Sequence, residues 1–171
     1  MAVGPEGARI AREEDTGRIA ELAAALLAPL GAARGGGLLA HALDRLLASD
    51  SLRRCIADSD HHAVLVGTYD DVVVGLALAE HPTESAPSRT GDDRVAVVRV
   101  LYVEPEMRGV GIGDALLAEL LRIERARGAT ALDIAALPGD GATKSFLEGL
   151  GFRARLLVMH RSLEPETEAG R

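Results

Sequence analysis

Runs of β-forming residues recur along the chain, with Val, Leu and Ala at most positions. The runs that predict strands lie at residues 8–12, 63–68, 72–79, 95–103, 131–137 and 152–161. The second and third runs are separated only by Tyr69, Asp70 and Asp71, which predicts an antiparallel hairpin. The fourth run is almost continuously apolar, which is typical of a buried strand.

Other segments show helical spacing or helix-breaking residues instead. The segments that predict helices lie at residues 13–30, 38–49, 114–127 and 142–150. In the third of them, Leu116, Leu120 and Ile123 form one apolar stripe. The glycines of residues 31–37 separate the first two helices, and residues 81–93 predict a mobile loop. The stretch up to Ser59 remains ambiguous.

The order of these elements predicts the fold class. A strand, a helix and a further strand from residue 95 to residue 137 imply a parallel crossover behind the hairpin. We therefore expect an α/β fold with a mixed, mostly antiparallel sheet, flanked by helices. The 171 residues, 47% of them hydrophobic, suit one domain over residues 1–163, followed by a charged tail at 164–171 that we expect to be disordered.

Composition and charge exclude several classes of partner. With 19 Lys and Arg against 26 Asp and Glu, the net charge of −7 has the wrong sign for binding nucleic acid. Cys55 is the only cysteine, so we expect no internal disulfide and no metal site. The start of the sequence lacks the apolar run that a secretory signal needs. The longest uncharged stretch, residues 22–33, is too short to span a bilayer. These features predict a cytoplasmic protein without a membrane partner.

The strongest chemical signal is a glycine-rich turn between the strand at 95–103 and the following helix. It reads R-G-V-G-I-G-D from Arg108 to Asp114, with glycine at every second position. The first N–H groups of a helix lack intrahelical acceptors, and missing Cβ atoms let an anion approach them. Arg108 adds a charged donor at the rim. The turn therefore predicts a phosphate site.

Other interpretations of the turn are weaker. A P-loop needs Lys and then Ser or Thr after its last glycine, whereas Asp114 and Ala115 follow Gly113 here. A dinucleotide site requires G-x-G-x-x-G rather than G-x-G-x-G, although Asp133 lies at a suitable distance for a ribose contact. The glycines can also serve only a tight helix entry.

Residues 101–117, L-Y-V-E-P-E-M-R-G-V-G-I-G-D-A-L-L, resemble the GNAT superfamily of acyl-CoA-dependent N-acyltransferases. Arg108, Gly111 and Gly113 match the family signature of Arg or Gln, two residues, Gly, one residue, and Gly or Ala. I-A-R-E-E-D at residues 10–15 resembles the family's opening, and F-L-E-G-L-G-F at residues 146–152 resembles its closing helix and strand. The resemblance covers most of the chain.

The resemblance implies acetyl-CoA as co-substrate and a primary amine of a small molecule or protein as acceptor. The amine attacks the thioester directly in a ternary complex, while a main-chain N–H of the fourth strand polarises the carbonyl. The pantetheine arm lies in a V-shaped split between the strands at 95–103 and 131–137. The donor contacts it implies are Leu101, Tyr102, Val103, Arg108, Gly109, Val110, Gly111, Ile112, Gly113, Asp114 and Lys144.

The sequence departs from the family where the acid and base are usually found. Leu147 stands where many members have a Tyr that acts as general acid, and Asp140 replaces an Asn. The fourth-strand carboxylate of many relatives falls near Arg99. Tyr102 and Glu104 are weak candidates for the missing groups, and Glu104 is expected to be exposed. A catalytically silent acyl-CoA-binding regulatory module is therefore the alternative to an enzyme.

Arg99 is costly inside a strand unless it faces a cleft or a carboxylate. We interpret it either as an anchor for an acidic group of the substrate or as one half of an ion pair, for example with Asp133. His41 and His160 have the chemistry of bases but no supporting pattern, and Cys55 suits a small buried hydrophobe.

The C-terminal segment lacks the turn that normally separates two final strands in this family. An open sheet edge completed by a partner chain would form a homodimer. The alternative is an exposed edge that Arg153, Arg155 and Arg161 protect.

Overall fold

A computed structural model of the chain describes residues 5–33, 35–81 and 94–159. The chain divides into two compact units, Met1–Gly139 and Asp140–Arg171. Residues 82–93 of the loop expected at 81–93, His160 and the expected tail at 164–171 lie outside the described residues. Within those ranges, no helix has the length and apolar character needed to cross a membrane.

The described residues of the first unit form a five-stranded sheet and four α-helices. The strands are β1 (Glu6–Ile10), β2 (His62–Tyr69), β3 (Val72–Glu80), β4 (Val95–Val103) and β5 (Ala131–Ile134). The helices are α1 (Thr16–Leu27), α2 (Gly36–Leu47), α3 (Ser49–Ala57) and α4 (Ile112–Ala126). The strands lie in chain order, antiparallel from β1 to β4 and parallel between β4 and β5. The expected mixed sheet with one parallel crossover is confirmed.

The hairpin of β2 and β3 forms as predicted. Its turn residues Asp70 and Asp71 both have positive φ, 45° and 64°, as a two-residue turn between twisted antiparallel strands requires. Asp is among the side chains that tolerate this conformation. The backbone N–H of Asp70 also donates to the carbonyl of Pro5 at 3.0 Å, which ties the turn to the start of the described chain.

Helices cover both faces of the sheet. Since side chains alternate along each strand, every strand contributes residues to both layers. Val64, Val66 and Leu78 belong to one core with residues of α1 to α3, including Ile19 and Leu52. On the other face, α4 packs across β1 to β4 with its buried stripe. That stripe consists of Ile112, Leu116, Leu117 and Leu120.

Several boundaries differ from the predictions. Helix α3 occupies the stretch that the sequence left ambiguous, and it buries Leu52 and Cys55, the small buried hydrophobe that we expected. Strand β1 lies two residues earlier than predicted. Strand β5 ends at Ile134 rather than at residue 137, shortly before Pro138, which lacks the N–H that a continuing ladder needs.

The last predicted strand is wrong over its described part. Residues 152–159 form no strand, and four consecutive apolar side chains there are exposed. A β-strand is stabilised by hydrogen bonds to a neighbouring strand, and this segment has no strand partner among the described residues. Its β-rich composition alone is not enough to form one.

The second unit contains α5 (Gly141–Gly149). The Asp140 carboxylate accepts hydrogen bonds from the Thr143 backbone N–H at 3.0 Å and its hydroxyl at 2.6 Å. Asp140 is thus the helix N-cap. At the other end, Gly151 has a φ of 88° and the Phe152 N–H donates to the Leu147 carbonyl at 3.0 Å, a C-terminal cap of the Schellman type.

Candidate functional site

The glycine turn follows the end of β4, after a single 3-10 turn at Pro105–Met107. Gly109 and Gly111 have φ values of 80° and 96°, in the left-handed region. Any other L-residue is strained there, so the backbone itself requires glycine at these two positions. The chain reverses within four residues and enters α4 at Ile112.

The N-terminus of α4 is uncapped. Gly111 is its N-cap and has no side chain to accept from the first turn, and the first bond of the helix runs from the Ala115 N–H to the Gly111 carbonyl at 2.9 Å. The N–H groups of Ile112, Gly113 and Asp114 therefore lack intrahelical acceptors and carry the positive end of the helix dipole. This arrangement fits an anion such as a pyrophosphate. The helix begins two residues earlier than predicted, so Ile112 and Gly113 belong to its first turn.

Two glycines of the sheet bring this helix end close to the strands. Gly67 and Gly75 lie opposite each other in β2 and β3. A Cβ on Gly67 would lie 2.6 Å from Cγ2 of Ile112, and one on Gly75 would lie 3.2 Å from the same atom. The position of the first turn of α4 therefore depends on these bare backbone positions.

Arg108 is held at the junction between strand and turn. Its Nε donates to the Val103 carbonyl at 3.0 Å, and its guanidinium carbon lies 6.0 Å from the ring centroid of Tyr102. One of five N–H donors is used in this bond, and the side chain is exposed. The remaining donors can meet an anion at the helix N-terminus.

The expected V-shaped split between β4 and β5 stays a prediction, because β5 pairs with β4 along its whole length. The two strands pair only from Val95 opposite Ala131 to Val98 opposite Ile134. Residues 99–103 of β4 continue beyond the end of β5, so that edge of β4 has no strand partner among the described residues. Leu101 and Val103 are half-buried along it. The free backbone edge leads directly to the glycine turn.

The two weak catalytic candidates both have structural partners. Tyr102 is 8% exposed and belongs to the hydrophobic core, which favours packing. Glu104, expected to be exposed, is instead partly buried and accepts from an Arg18 guanidinium nitrogen of α1 at 2.7 Å. The ion pair forms because the turn after β4 lies over α1, where Arg18 also binds the Val73 carbonyl.

Arg99 forms an ion pair, as one of its two interpretations expected, and the partner is Glu80. Its guanidinium lies 2.7 Å from the Glu80 carboxylate of β3. Leu78 is opposite Val100 and Ala79 is opposite Val98, so Arg99 has no register partner on β3 and marks a β-bulge. Glu80 was not among the predicted site residues; the signal that could have indicated it is its place at the end of the hairpin, opposite His62.

The model of the acetyltransferase (GNAT) family matches residues 34–152, more than half of the chain. The chain belongs to this family. Among the curated proteins, none matches the chain.

Solved structures of GNAT proteins and related acetyltransferases share the fold. The aminoglycoside N-acetyltransferase AAC(6')-Iy in complex with CoA aligns with a TM-score of 0.66 and 17% identity, over 92% of this chain and 95% of that one. A GCN5-related N-acetyltransferase from Ralstonia eutropha JMP134 gives 0.70 and 19%, over 93% and 99%. A predicted acetyltransferase with acetyl-CoA from Clostridium acetobutylicum gives 0.68 and 16%, over 92% and 96%.

Several GNAT contacts implied by the sequence stay predictions. Gly109 and Val110 are exposed in the turn, and Asp114 is exposed in the first turn of α4. Lys144 belongs to the second unit, where its ammonium lies 3.6 Å from the Glu148 carboxylate of α5. Their contacts with a donor are untested.

The closing helix of this GNAT chain offers no proton donor at the usual place. Leu147 is 5% exposed, and the Asp140 carboxylate is engaged as the N-cap of α5. Asp140 is thus explained by helix capping, a local signal that the sequence already contained: an Asp three residues before Thr143.

Proposed function

We propose that the chain is an acetyl-CoA-dependent N-acetyltransferase that acts on a primary amine of a small molecule or a protein. The observation that carries this proposal is the uncapped N-terminus of α4, opened by Gly109 and Gly111 and flanked by Arg108. The donor pyrophosphate would bind there, and the pantetheine arm would extend along the free edge of β4 at residues 99–103. The CoA complexes among the structural neighbours are consistent with this donor.

The reaction has a simple balance. Acetyl-CoA supplies the acetyl thioester; the neutral amine forms a bond to the carbonyl carbon, and the bond between that carbon and sulfur breaks. The nitrogen loses a proton and the CoA thiolate gains one, so the products are an amide and free CoA. Water can supply the thiolate proton, so a Tyr at position 147 is dispensable in this scheme.

We place the polarisation of the thioester carbonyl at the bulge of β4 near Arg99. A bulge disrupts the hydrogen-bond ladder locally and leaves a main-chain group without its strand partner. A backbone N–H directed at the developing oxyanion stabilises it in a site that excludes water. Support comes from the position of the bulge, one residue beyond the last pair between β4 and β5.

A silent acyl-CoA-binding regulatory module is the second candidate. Buried Leu147 and the capping role of Asp140 favour it, because neither residue supplies a proton route. The two candidates share the donor site and differ only in turnover. Release of free thiol from acetyl-CoA with a panel of amines separates them.

Isothermal titration calorimetry with acetyl-CoA tests the donor site. We expect Gly111→Trp to abolish measurable binding, because a side chain there is strained and fills the turn. Gly128→Trp is the matched control: Gly128 also has a positive φ, 83°, but follows the far end of α4. A helix of 15 residues places it about 22 Å away. Circular dichroism checks that both variants are folded.

Arg108→Gln tests the same site without backbone strain. We expect a roughly 10- to 100-fold loss of affinity for acetyl-CoA, the usual range for one charge-assisted hydrogen bond. Acetyl-pantetheine, which lacks the pyrophosphate, should bind the variant and the wild type equally. Failure of the wild type to bind acetyl-CoA would disprove the proposal, and equal losses at Gly111 and Gly128 would assign both to folding.

A further inference from the structure

A small cavity of about 270 Å³ lies beside the bulge of β4. It is formed where β2 begins, β3 ends and β4 begins, and its lining includes His62, Glu80, Val97 and Arg99. His62 lies opposite Glu80, and Glu80 lies opposite Val97, so the three strands contribute neighbouring residues to it. Its volume lies at the lower limit for ligand pockets and suits a small occupant.

The cavity and the proposed donor site share a strand. Arg99 precedes Val103 by four residues, which corresponds to roughly 13 Å along a β-strand. Val103 accepts the hydrogen bond of Arg108 at the anion turn. A donor that extends from this turn along the free edge of β4 would present its thioester at the bulge, next to the cavity. The acceptor therefore belongs in the cavity.

Glu80 and Arg99 contribute an exposed pair of opposite charge to the cavity, whose lining also includes His61, His81 and Val95. Arg99 and Glu80 are 2.7 Å apart, with 47% and 34% of their side chains exposed. A pair this open to water contributes little stability, so each ion can exchange its partner for a solute at small cost. The second Glu80 oxygen and most of the Arg99 donors are not used in the 2.7 Å contact.

A buried nitrogen without a partner adjoins this pair. Nδ1 of His62 is buried and makes no hydrogen bond among the described residues. The nearest Asp58 oxygen is 3.9 Å away, beyond hydrogen-bond distance. An unsatisfied buried polar atom costs free energy unless a ligand or water completes it. Nε2 of His81, which also lines the cavity, is likewise buried without a partner among the described residues, so the cavity offers two unsatisfied imidazole nitrogens besides the two charges.

The arrangement selects the kind of amine that binds. An acceptor with a lone ammonium group is attracted by Glu80 and repelled to a similar degree by Arg99. An acceptor with a carboxylate close to its amine places each charge against its opposite.

We propose that Glu80 and Arg99 bind the acceptor, and that the acceptor is a small amine with a carboxylate close to its nitrogen, an α-amino acid being the simplest example. This inference rests on the proposed acetyltransferase function. It assigns the acceptor class, with Glu80 receiving the amine and Arg99 the acid group. It also explains an arginine at a place where the family resemblance leads one to expect a carboxylate: β3 supplies the carboxylate instead.

Matched acceptors test the proposal. Free α-amino acids are compared with their carboxamides, which keep the amine and lack the acid, by thiol release from acetyl-CoA. We expect the wild type to prefer the acids by roughly 10- to 100-fold in kcat/KM, as expected for one charge-assisted contact. Arg99→Gln should remove this preference, and Glu80→Gln should lower kcat/KM for both series. Equal rates for acids and amides in the wild type would overturn the proposal.

Two further variants exclude a structural explanation. Arg122→Gln breaks another Arg–Glu pair, with Glu119 of α4 at 2.6 Å, and should leave the preference intact. The double exchange Glu80→Arg with Arg99→Glu restores an ion pair but inverts its charges. Recovery of full activity and preference in this double variant would show that the pair serves only stability, and would overturn the proposal.

The donor affinity separates this proposal from the one on which it rests. Glu80→Gln and Arg99→Gln should bind acetyl-CoA with wild-type affinity in calorimetry. If the wild type does not bind acetyl-CoA, the proposed function itself fails. If it binds acetyl-CoA but acetylates neither acids nor amides, the acceptor assignment is wrong and the silent module is supported.

Discussion

Ile112 packs so tightly over Gly67 that a Cβ on Gly67 would lie 2.6 Å from Cγ2 of Ile112 and 3.1 Å from Cδ1 of Leu116. Ile112 is the first residue of α4, whose N–H groups form the proposed anion site. We expect Gly67→Ala to displace this helix end, lower the free energy of unfolding by roughly 1–3 kcal/mol and weaken acetyl-CoA binding. Urea unfolding and calorimetry measure the two effects.

Gly75→Ala provides the graded control, because its Cβ would meet the same Ile112 atom at 3.2 Å, a contact that small shifts relieve. Both effects should be smaller than those of Gly67→Ala. A crystal structure of Gly67→Ala with α4 unmoved, together with unchanged affinity, would contradict the link between this packing and the donor site.

His81 and Glu124 form a buried pair that fixes the end of β3 to α4. Nδ1 of His81 lies 2.8 Å from the Glu124 carboxylate, and the two side chains are 6% and 2% exposed. We expect Glu124→Ala to destabilise the protein by roughly 1–3 kcal/mol, because it leaves a buried polar partner unsatisfied. Thermal and urea unfolding measure this loss.

The control on the same helix is Glu119→Ala. Its partner Arg122 is largely exposed, so the variant should cost less than about 1 kcal/mol. Similar losses in the free energy of unfolding for both variants would show that the buried pair of His81 and Glu124 stabilises the protein no more than an exposed pair does.

Asp15 makes part of the stability dependent on pH. The Arg9 guanidinium, at 2.7 Å and 2.8 Å, holds the pKa of the Asp15 carboxyl below its usual value, and the Arg12 N–H adds a further bond. A carboxyl with a lowered pKa in the folded state stabilises it above its unfolded pKa of about 3.9, and this contribution disappears as the pH falls.

Asp15→Asn should therefore lower the free energy of unfolding at pH 7 by roughly 1.5–3 kcal/mol, and the difference from wild type should shrink towards pH 3. Urea titrations at several pH values measure it. Glu14→Gln, at an exposed pair with Arg12, should change stability little at any of them. A difference for Asp15→Asn that stays constant with pH would exclude the carboxyl as its source.

The sequence predicted those parts of the molecule that depend on local pattern. The bounds of β4 match the prediction to the residue, because a Val-rich run of nine residues is followed by Glu104 and Pro105. The glycine turn was also located from sequence, since φ values of 80° and 96° require glycine.

Features that depend on tertiary contact were missed. The pair of Glu80 and Arg99 joins residues 19 positions apart across two strands, and the bulge that accompanies it has no local signature. The glycines at residues 67 and 75 could have indicated that another element packs closely against the hairpin, since they lie at paired positions of its two strands. Their partner Ile112, however, comes from a helix far along the chain.

The exposed apolar residues after α5 bear on the predicted homodimer. Leu156, Leu157, Val158 and Met159 are each more than two-thirds exposed, and β5 lies at an edge of the described sheet. Four consecutive apolar side chains with high β-propensity can add a strand to an open edge of a second copy. We expect the wild type to be dimeric by size-exclusion chromatography with light scattering, and Leu157→Glu to shift it towards the monomer.

Val72→Glu is the matched control, because Val72 is a single exposed apolar residue, 59% exposed, at the hairpin of β2 and β3. It should leave the dimer intact. A wild type that is monomeric at high micromolar concentration would disprove the dimer. Dissociation by Val72→Glu without dissociation by Leu157→Glu would instead place the interface at the hairpin and would contradict the assignment to residues 156–159.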